Sequence, residues 1–205
     1  MKNERVLALD MSTKTGWASM ISTEKGIILE AYGQVPQIHT PTETAYPENF
    51  VDWAYLVYAE VVKLIDLHAP DVLVIEETAA GSKAIYTQKI LEWIHFLVAK
   101  LIKECKIRVV YLMTEQWRRE TGCLMSKDES KHNKKVREYK SKNKTTIARD
   151  IDGKRIGRIT RKHVNIRRAN EVFGEFLKTP LRKKDEDTAD SLLLGYCYHL
   201  RRLKQ

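Results

Sequence analysis

The sequence has few cysteines and no long run of apolar residues. Its three cysteines, Cys105, Cys123 and Cys197, are far apart and show no Cys-x-x-Cys spacing, which argues against a disulfide framework and against a zinc site. No apolar stretch approaches the ~18 residues of a membrane-spanning helix. The N-terminus lacks the apolar segment and the small-residue cleavage site of a signal peptide. We therefore expect a cytoplasmic protein without a membrane partner.

Glycine is also scarce, with nine scattered residues among 205. An actin-like ATPase or sugar kinase, whose first strand also ends on an aspartate before a Ser/Thr-containing turn, needs a second glycine-rich phosphate loop and usually a much longer chain. This class is therefore the less favoured alternative. The length suits one domain with an insertion, large enough to bury a core.

Positive charge is concentrated in one segment. Residues 125–168 hold 16 of the 36 Lys and Arg residues but only 5 of the 27 Asp and Glu residues. The segment has a net charge of +11, whereas the rest of the chain has −2. A basic patch on a near-neutral body is typical of proteins that bind nucleic acid. The alternative is a solvated, poorly ordered basic loop.

The pattern of apolar residues predicts an α/β protein with a mixed sheet. A strand that ends at Asp10 begins an antiparallel meander, and Pro-containing residues 34–47 form a loop. Residues 127–144 are hydrophilic, with only Val136 and Tyr139 as apolar anchors. A hairpin over 147–159 is predicted to turn at Asp152-Gly153. The remaining predicted elements are strands at 17–21, 26–33, 71–76 and 108–113, and helices at 48–68, 85–105, 114–120, from Thr160 and at the C-terminus.

Two predicted strands end on a carboxylate. Asp10 follows an apolar run at 6–9, and Glu76 follows one at 72–75. Taken alone, Asp10 is better explained as a turn residue that accepts backbone hydrogen bonds. Asp187 and Asp190 are three residues apart at the start of the last predicted helix, so they share a face, although acidic residues there also stabilise the helix dipole. Parallel neighbouring strands would place Asp10 beside Glu76, and the helix could add its pair.

Three or four converging carboxylates repel one another unless cations neutralise them. Oxygen ligands of this kind suit Mg²⁺ or Mn²⁺. Two such ions, about 3.5–4 Å apart, activate a water and stabilise the leaving oxygen of a phosphodiester. An acidic metal site together with a separate basic segment therefore favours a nuclease.

Four stretches together resemble one family. They are LALDMSTKTGWA at 7–18, DVLVIEE at 71–77, VNIRRANEVFG at 164–174 and KKDEDTADSLLLG at 183–195. In this order they resemble the RuvC-type Holliday junction resolvases of the RNase H-like superfamily, especially phage-type members. The sequence departs from the bacterial pattern at Met11, where proline is usual, and in its longer basic segment.

The resemblance implies a single RNase H-like nuclease domain over 1–205, with a basic DNA-binding insertion at about 122–162. It implies a five-stranded mixed sheet, a three-stranded antiparallel meander plus parallel strands, with helices on both sides. It implies a homodimer that nicks two strands of a four-way junction symmetrically and leaves 5′-phosphate and 3′-hydroxyl ends. A phage-encoded protein would act in the host cytoplasm. The alternatives are a nuclease for forks, flaps and other branched DNA, and a junction-binding protein without activity.

The family's metal-binding, catalytic carboxylates map onto Asp10, Glu76, Asp187 and Asp190, with Mg²⁺ or Mn²⁺ as the cofactor and two ions per site. Side chains alternate along a strand, so only one of Glu76 and Glu77 can face the site, and the motif selects Glu76. Lys83 and Lys89 follow this strand and either contact DNA phosphate or lie on the surface. The full set of predicted DNA-binding residues is Lys83, Lys89, Lys134, Lys135, Lys140, Lys142 and Lys144.

Overall fold

A computed structural model describes residues 2–12, 14–39, 45–77, 85–149 and 151–205. A five-stranded sheet in the order β3-β2-β1-β4-β5 forms its centre. β1, β2 and β3 are an antiparallel meander, whereas β4 pairs in parallel with both β1 and β5. The predicted mixed sheet is confirmed. The strands are β1 (Glu4–Asp10), β2 (Gly16–Thr23), β3 (Gly26–Gln34), β4 (Val72–Glu77) and β5 (Arg108–Met113).

Helices cover both faces of the sheet because the buried strands are apolar on both sides. Leu7, Leu9 and Ile75 belong to a core shared with α1 and α2. Val6 and Ala8, which alternate with them on β1, belong to a second core shared with α3, α5 and α6. None of the described helices is long and apolar enough to cross a membrane. The helices are α1 (Glu48–His68), α2 (Ile85–Cys105), α3 (Thr114–Glu120), α4 (Lys127–Lys142), α5 (Arg161–Phe173) and α6 (Glu186–Arg202), with a 3₁₀ turn at Lys183–Asp185.

The hydrophilic stretch after α3 is a helix, which the apolar pattern did not predict. α4 begins with a capping box, in which Ser126 accepts a hydrogen bond from the Glu129 amide and the Glu129 carboxylate accepts one from the Ser126 amide. Such a box satisfies amides that the first helical turn leaves without partners. Val136 is fully buried and Tyr139 is half-buried, so the two expected anchors are both used.

The predicted hairpin is present but short. β6 (Ala148–Arg149) pairs with β7 (Arg155–Ile156) in a separate two-stranded sheet. Gly153 in the turn has φ +76°, a conformation that glycine adopts without steric cost. The described part of the basic segment therefore consists of α4, the hairpin and the first half of α5.

Candidate active site

Asp10 and Glu76 lie at the same end of two adjacent strands. Leu9 is paired with Ile75 in the parallel ladder, so the next residue on each strand is a carboxylate at the carboxyl edge of the sheet. The Glu76 carboxylate accepts a hydrogen bond from the Thr114 hydroxyl at the start of α3. Glu77, the next residue on β4, is exposed. The choice of Glu76 over Glu77 therefore agrees with the strand geometry.

The first turns of α6 add the second pair of carboxylates. Asp190 is held by two neighbours, since Asn165 Nδ2 donates to its Oδ1 at 2.7 Å and Arg118 Nη2 lies 3.8 Å from its Oδ2. Asp187 is half-buried one helical turn before it. Asn165 comes from α5 and Arg118 from α3, so three helices meet at this carboxylate.

A close backbone contact fixes the start of α6 against the sheet. Gly16, the first residue of β2, pairs with Asp10 across the antiparallel ladder. A Cβ atom at Gly16 would lie 2.0 Å from the Asp187 carbonyl oxygen and 2.7 Å from the Thr188 amide nitrogen. Only glycine fits this contact, which brings the Asp187 backbone directly onto the strand that pairs with Asp10.

The carboxylates act on one another electrostatically. Burial raises the pKa of Asp10 well above its usual range, and the nearby Asp190, Glu76 and Asp187 raise it further. Burial likewise raises the pKa of Asp190 to about 7, although the hydrogen bond from Asn165 and the charge of Arg118 oppose the change. Burial and then Glu186 raise the pKa of Asp187, which Lys162 and Lys14 lower. Asp10 is therefore influenced by the charge of the other three carboxylates, and the raised pKa values of Asp10, Asp187 and Asp190 indicate that negative charge on these three groups is unfavourable without a cation.

The donor chemistry of this site fits a hard divalent cation. All four side chains offer carboxylate oxygens, the ligands that Mg²⁺ and Mn²⁺ prefer. Cationic charge would offset the burial and the repulsion that together raise the pKa of Asp10. Within the described residues, no three carboxylate, His or Cys side chains are drawn together tightly enough to form a metal-binding group. Glu76 and Asp190 are instead hydrogen bonded to Thr114 and Asn165.

Sequence reasoning missed the polar and cationic residues around these carboxylates. Thr114, Arg118 and Asn165 contact Glu76 or Asp190 directly. Lys162 is paired with Glu186 and lowers the pKa of both Asp10 and Asp187. The only sequence signal for Asn165 and Lys162 is their place in or beside the stretch at 164–174.

The predicted DNA-binding lysines fall into two regions. Lys83 lies outside the described residues, and Lys89 is half-buried with its Nζ 3.9 Å from the centre of the Tyr46 ring. The others are on or just after α4. Lys134 has an ion pair with Glu138 at 3.8 Å, Lys140 is half-buried, and Lys135, Lys142 and Lys144 are exposed. The role of these lysines in binding DNA stays a prediction.

The fold was compared with those of solved structures. Thermus thermophilus RuvC in complex with a Holliday junction substrate superposes with a TM-score of 0.62 at 12% identity, over 97% of this chain and 94% of that one. The chain has the fold of RuvC-type resolvases. The yeast mitochondrial Holliday junction resolvase Ydc2 superposes with a TM-score of 0.52 at 13% identity, over 98% of this chain and 80% of that one.

The chain is similar to these resolvases in its fold. No protein-family model and no curated protein sequence matches the chain. The RuvC-type fold extends over nearly the whole length of the chain. It agrees with the five-stranded mixed sheet flanked by helices that the resemblance implies.

Proposed function

We propose that this protein is a divalent-metal-dependent endonuclease that cleaves four-way DNA junctions by paired symmetric nicks. The observation that carries the proposal is the placement of Asp10 and Glu76 side by side at the carboxyl ends of β1 and β4, with Asp187 and Asp190 of α6 near enough to raise the pKa of Asp10. The RuvC-type fold supports the proposal because two resolvases that act on Holliday junctions share it. The chain then forms one nuclease domain, with α4 and the hairpin as its DNA-binding insertion.

The site's own residues would position the metals and the scissile phosphate. Asp10, Glu76, Asp187 and Asp190 would hold two Mg²⁺ ions, which Mn²⁺ can replace. When bound, the ions supply the activation of the attacking water and the stabilisation of the leaving oxygen, so that 5′-phosphate and 3′-hydroxyl ends result. Arg118 and Lys162 border the carboxylates, where a guanidinium and an ammonium group can bind the negatively charged phosphate.

A pair of subunits fits a substrate that has two equivalent strands to cut. Several large apolar side chains of α1 and α2 are exposed, and burial of some of them between two copies would remove apolar surface from water. We therefore assign a homodimer to the proposed function. These exposed residues are Tyr55, Leu56, Leu67, Phe96 and Ile102.

Neutral variants of the carboxylates test the catalytic assignment. Asp10→Asn and Glu76→Gln should reduce junction cleavage by about a thousandfold or more, because each removes charge that holds the metals. Both variants should bind the junction with wild-type affinity, since the basic surface is unchanged. Glu77→Gln is the matched control, because this neighbouring carboxylate is exposed, and its cleavage rate should stay within about twofold of wild type. Equal losses in all three variants would overturn the assignment.

A further inference from the structure

The tip of the β6–β7 hairpin carries an apolar side chain in open solvent. Ile151 is 99% exposed, next to Asp152 and Gly153 in the turn. Turn positions favour small or polar residues. An isoleucine side chain that stays in water does not stabilise the fold by burial of apolar surface. Single exposed apolar residues are common on protein surfaces. The surroundings of Ile151 are what distinguish it.

Contacts with α4 hold the chain at the base of the hairpin. Asn133 of α4 is buried and forms a two-way clamp on Ile159, donating from Nδ2 to the carbonyl oxygen and accepting from the amide nitrogen, both at 2.8 Å. His132 Nε2 lies 2.9 Å from the Gly157 carbonyl oxygen, and Ala148 of β6 is fully buried. Such contacts fix the direction in which the tip projects.

Further contacts connect α4 through α5 to Asp190. Glu129 of α4 forms an ion pair with Arg167 of α5. Asn165 of the same helix donates to Asp190. The hairpin, α4 and α5 are therefore joined by buried or charged contacts that end at the candidate active site, so the place of the tip relative to that site is defined by the fold.

Charge is arranged around the tip in two zones. Four exposed basic residues lie on the two arms of the hairpin and just after it: Arg149, Lys154, Arg155 and Arg158. Ile151 is flanked in the sequence by Asp150 and Asp152. Phosphates are therefore attracted to the arms; the Arg149 guanidinium also reaches the turn, where its Nη1 donates to the Gly153 carbonyl oxygen at 2.7 Å. This distribution suits a ligand whose charged backbone runs along the arms while its uncharged bases meet the tip.

We propose that Ile151 is a wedge that inserts between bases at the branch point of DNA while the arms of the hairpin contact the flanking phosphates. The proposal rests on the proposed function and extends it, because it assigns the recognition of the branch to a residue away from the carboxylates. Base steps at a branch lack a full set of stacking neighbours, so an apolar side chain can separate them at less cost than in a duplex.

The test uses a four-way junction that contains 2-aminopurine beside the branch point, since the fluorescence of this base rises when it loses stacking. Asp10→Asn protein prevents cleavage and serves as the parent. We expect the Asp10→Asn protein to raise the fluorescence when it binds the junction. Ile151→Ser in the same background should make this rise about fivefold smaller, while the Kd changes less than about threefold. Ile151→Leu should restore the signal. Leu203→Ser, which changes another exposed aliphatic residue outside the hairpin, should match the parent.

The outcomes separate this proposal from the proposed function. A parent that fails to bind the junction would overturn the proposed function itself. A parent that binds but does not raise the fluorescence, or an Ile151→Ser variant that raises it as much as the parent does, would overturn the wedge alone. The second result would leave Ile151 available for contact with another protein.

Discussion

Gly16 shows how the position of a proposed catalytic carboxylate, Asp187, depends on an uncharged residue. From the sequence it is an ordinary turn residue after Asp10. In the structure its missing side chain lets the Asp187 backbone approach β2. A methyl group there must push α6 away from the sheet, which displaces Asp187 and Asp190 together.

Gly16→Ala should therefore impair both stability and cleavage. Overpacking of this kind costs about 1–3 kcal/mol, and we expect the cleavage rate to fall more than about tenfold because a small misplacement of catalytic groups is costly. Gly157→Ala is the matched control, since no atom of the described residues lies within 4 Å of the position that its methyl group would take, and it should behave as wild type. Thermal unfolding and cleavage rates measure the two effects. A fully active Gly16→Ala protein would show that the contact does not position Asp187.

Asn165 orients Asp190 through the 2.7 Å hydrogen bond. Its Oδ1 is buried and has no hydrogen-bond partner among the described residues, so its amide serves this carboxylate alone. Residues that orient metal ligands typically contribute 10–100-fold to activity or metal affinity. Asn165→Ala should lower cleavage by about this factor and raise the Mg²⁺ concentration needed for half-maximal activity.

A second asparagine of α5 is the control for this effect. Asn170 exchanges hydrogen bonds with the Leu181 backbone, so Asn170→Ala should lower stability without changing the Mg²⁺ dependence. If both variants changed the Mg²⁺ dependence equally, the effect of Asn165 would be structural.

Among single residues, the sequence predicted the four carboxylates as candidates but not the groups that orient them. Asp10 and Glu76 are recognisable because each ends an apolar strand. Thr114, Arg118 and Asn165 are ordinary polar residues on separate helices, and their role exists only once α3, α5 and α6 pack together. No local pattern carries that information.

Among the elements, α3 and α6 are joined by a bidentate ion pair. Arg201 donates from Nε to Glu120 Oε2 at 2.8 Å and from Nη2 to Glu120 Oε1 at 2.9 Å. The hydrogen bond from Arg201 lowers the pKa of Glu120 below its usual value of 4.5. Because the folded carboxylate holds its proton less tightly than the unfolded one, the pair stabilises the protein above pH 4.5, and this contribution is lost as the pH falls through the folded pKa.

Glu120→Gln should therefore reduce the free energy of unfolding at pH 7, by about 1 kcal/mol for a pair that is partly exposed. The difference from wild type should shrink below pH 4.5. Urea unfolding at about pH 7 and about pH 3.5 measures it. Asp128→Asn, at a carboxylate whose side chain is 94% exposed, should show no such pH dependence. A constant difference for Glu120→Gln at both pH values would contradict the role of the ion pair.

Prediction of the elements was accurate where burial gives a pattern and poor where it does not. All five strands of the central sheet and five helices follow from apolar spacing. α4 has only two buried residues, Asn133 and Val136, so its apolar pattern is too weak to predict a helix. The Ser126-x-x-Glu129 capping box was the available signal. The clamp between Asn133 and Ile159 is a long-range contact that no sequence spacing indicates.

For the whole molecule, the basic insertion is separate in sequence from the carboxylates, and the proposed function therefore predicts that DNA binding and cleavage depend on different surfaces. Replacement of Lys134, Lys135, Lys140, Lys142 and Lys144 by Gln should weaken junction binding and lower the slope of log Kd against log salt by about 0.9 for each phosphate that the protein no longer neutralises. Titrations between low and moderate salt measure the slope. A control set of exposed lysines outside the insertion should leave it unchanged; the set is Lys25, Lys63, Lys103, Lys106 and Lys178. An equal slope for both sets would show that the insertion does not bind the DNA backbone.

We propose that this protein cuts four-way junctions with Asp10, Glu76, Asp187 and Asp190. The direct measurement compares end-labelled four-way junction, fork, flap and linear duplex, each incubated with Mg²⁺, Mn²⁺ or EDTA, and maps the cut positions on every strand. We expect two symmetric nicks in opposing strands of the junction, with ligatable 5′-phosphate ends, in either metal and none in EDTA. Cleavage of the duplex at the same rate as the junction, or cleavage that persists in EDTA, would contradict this claim.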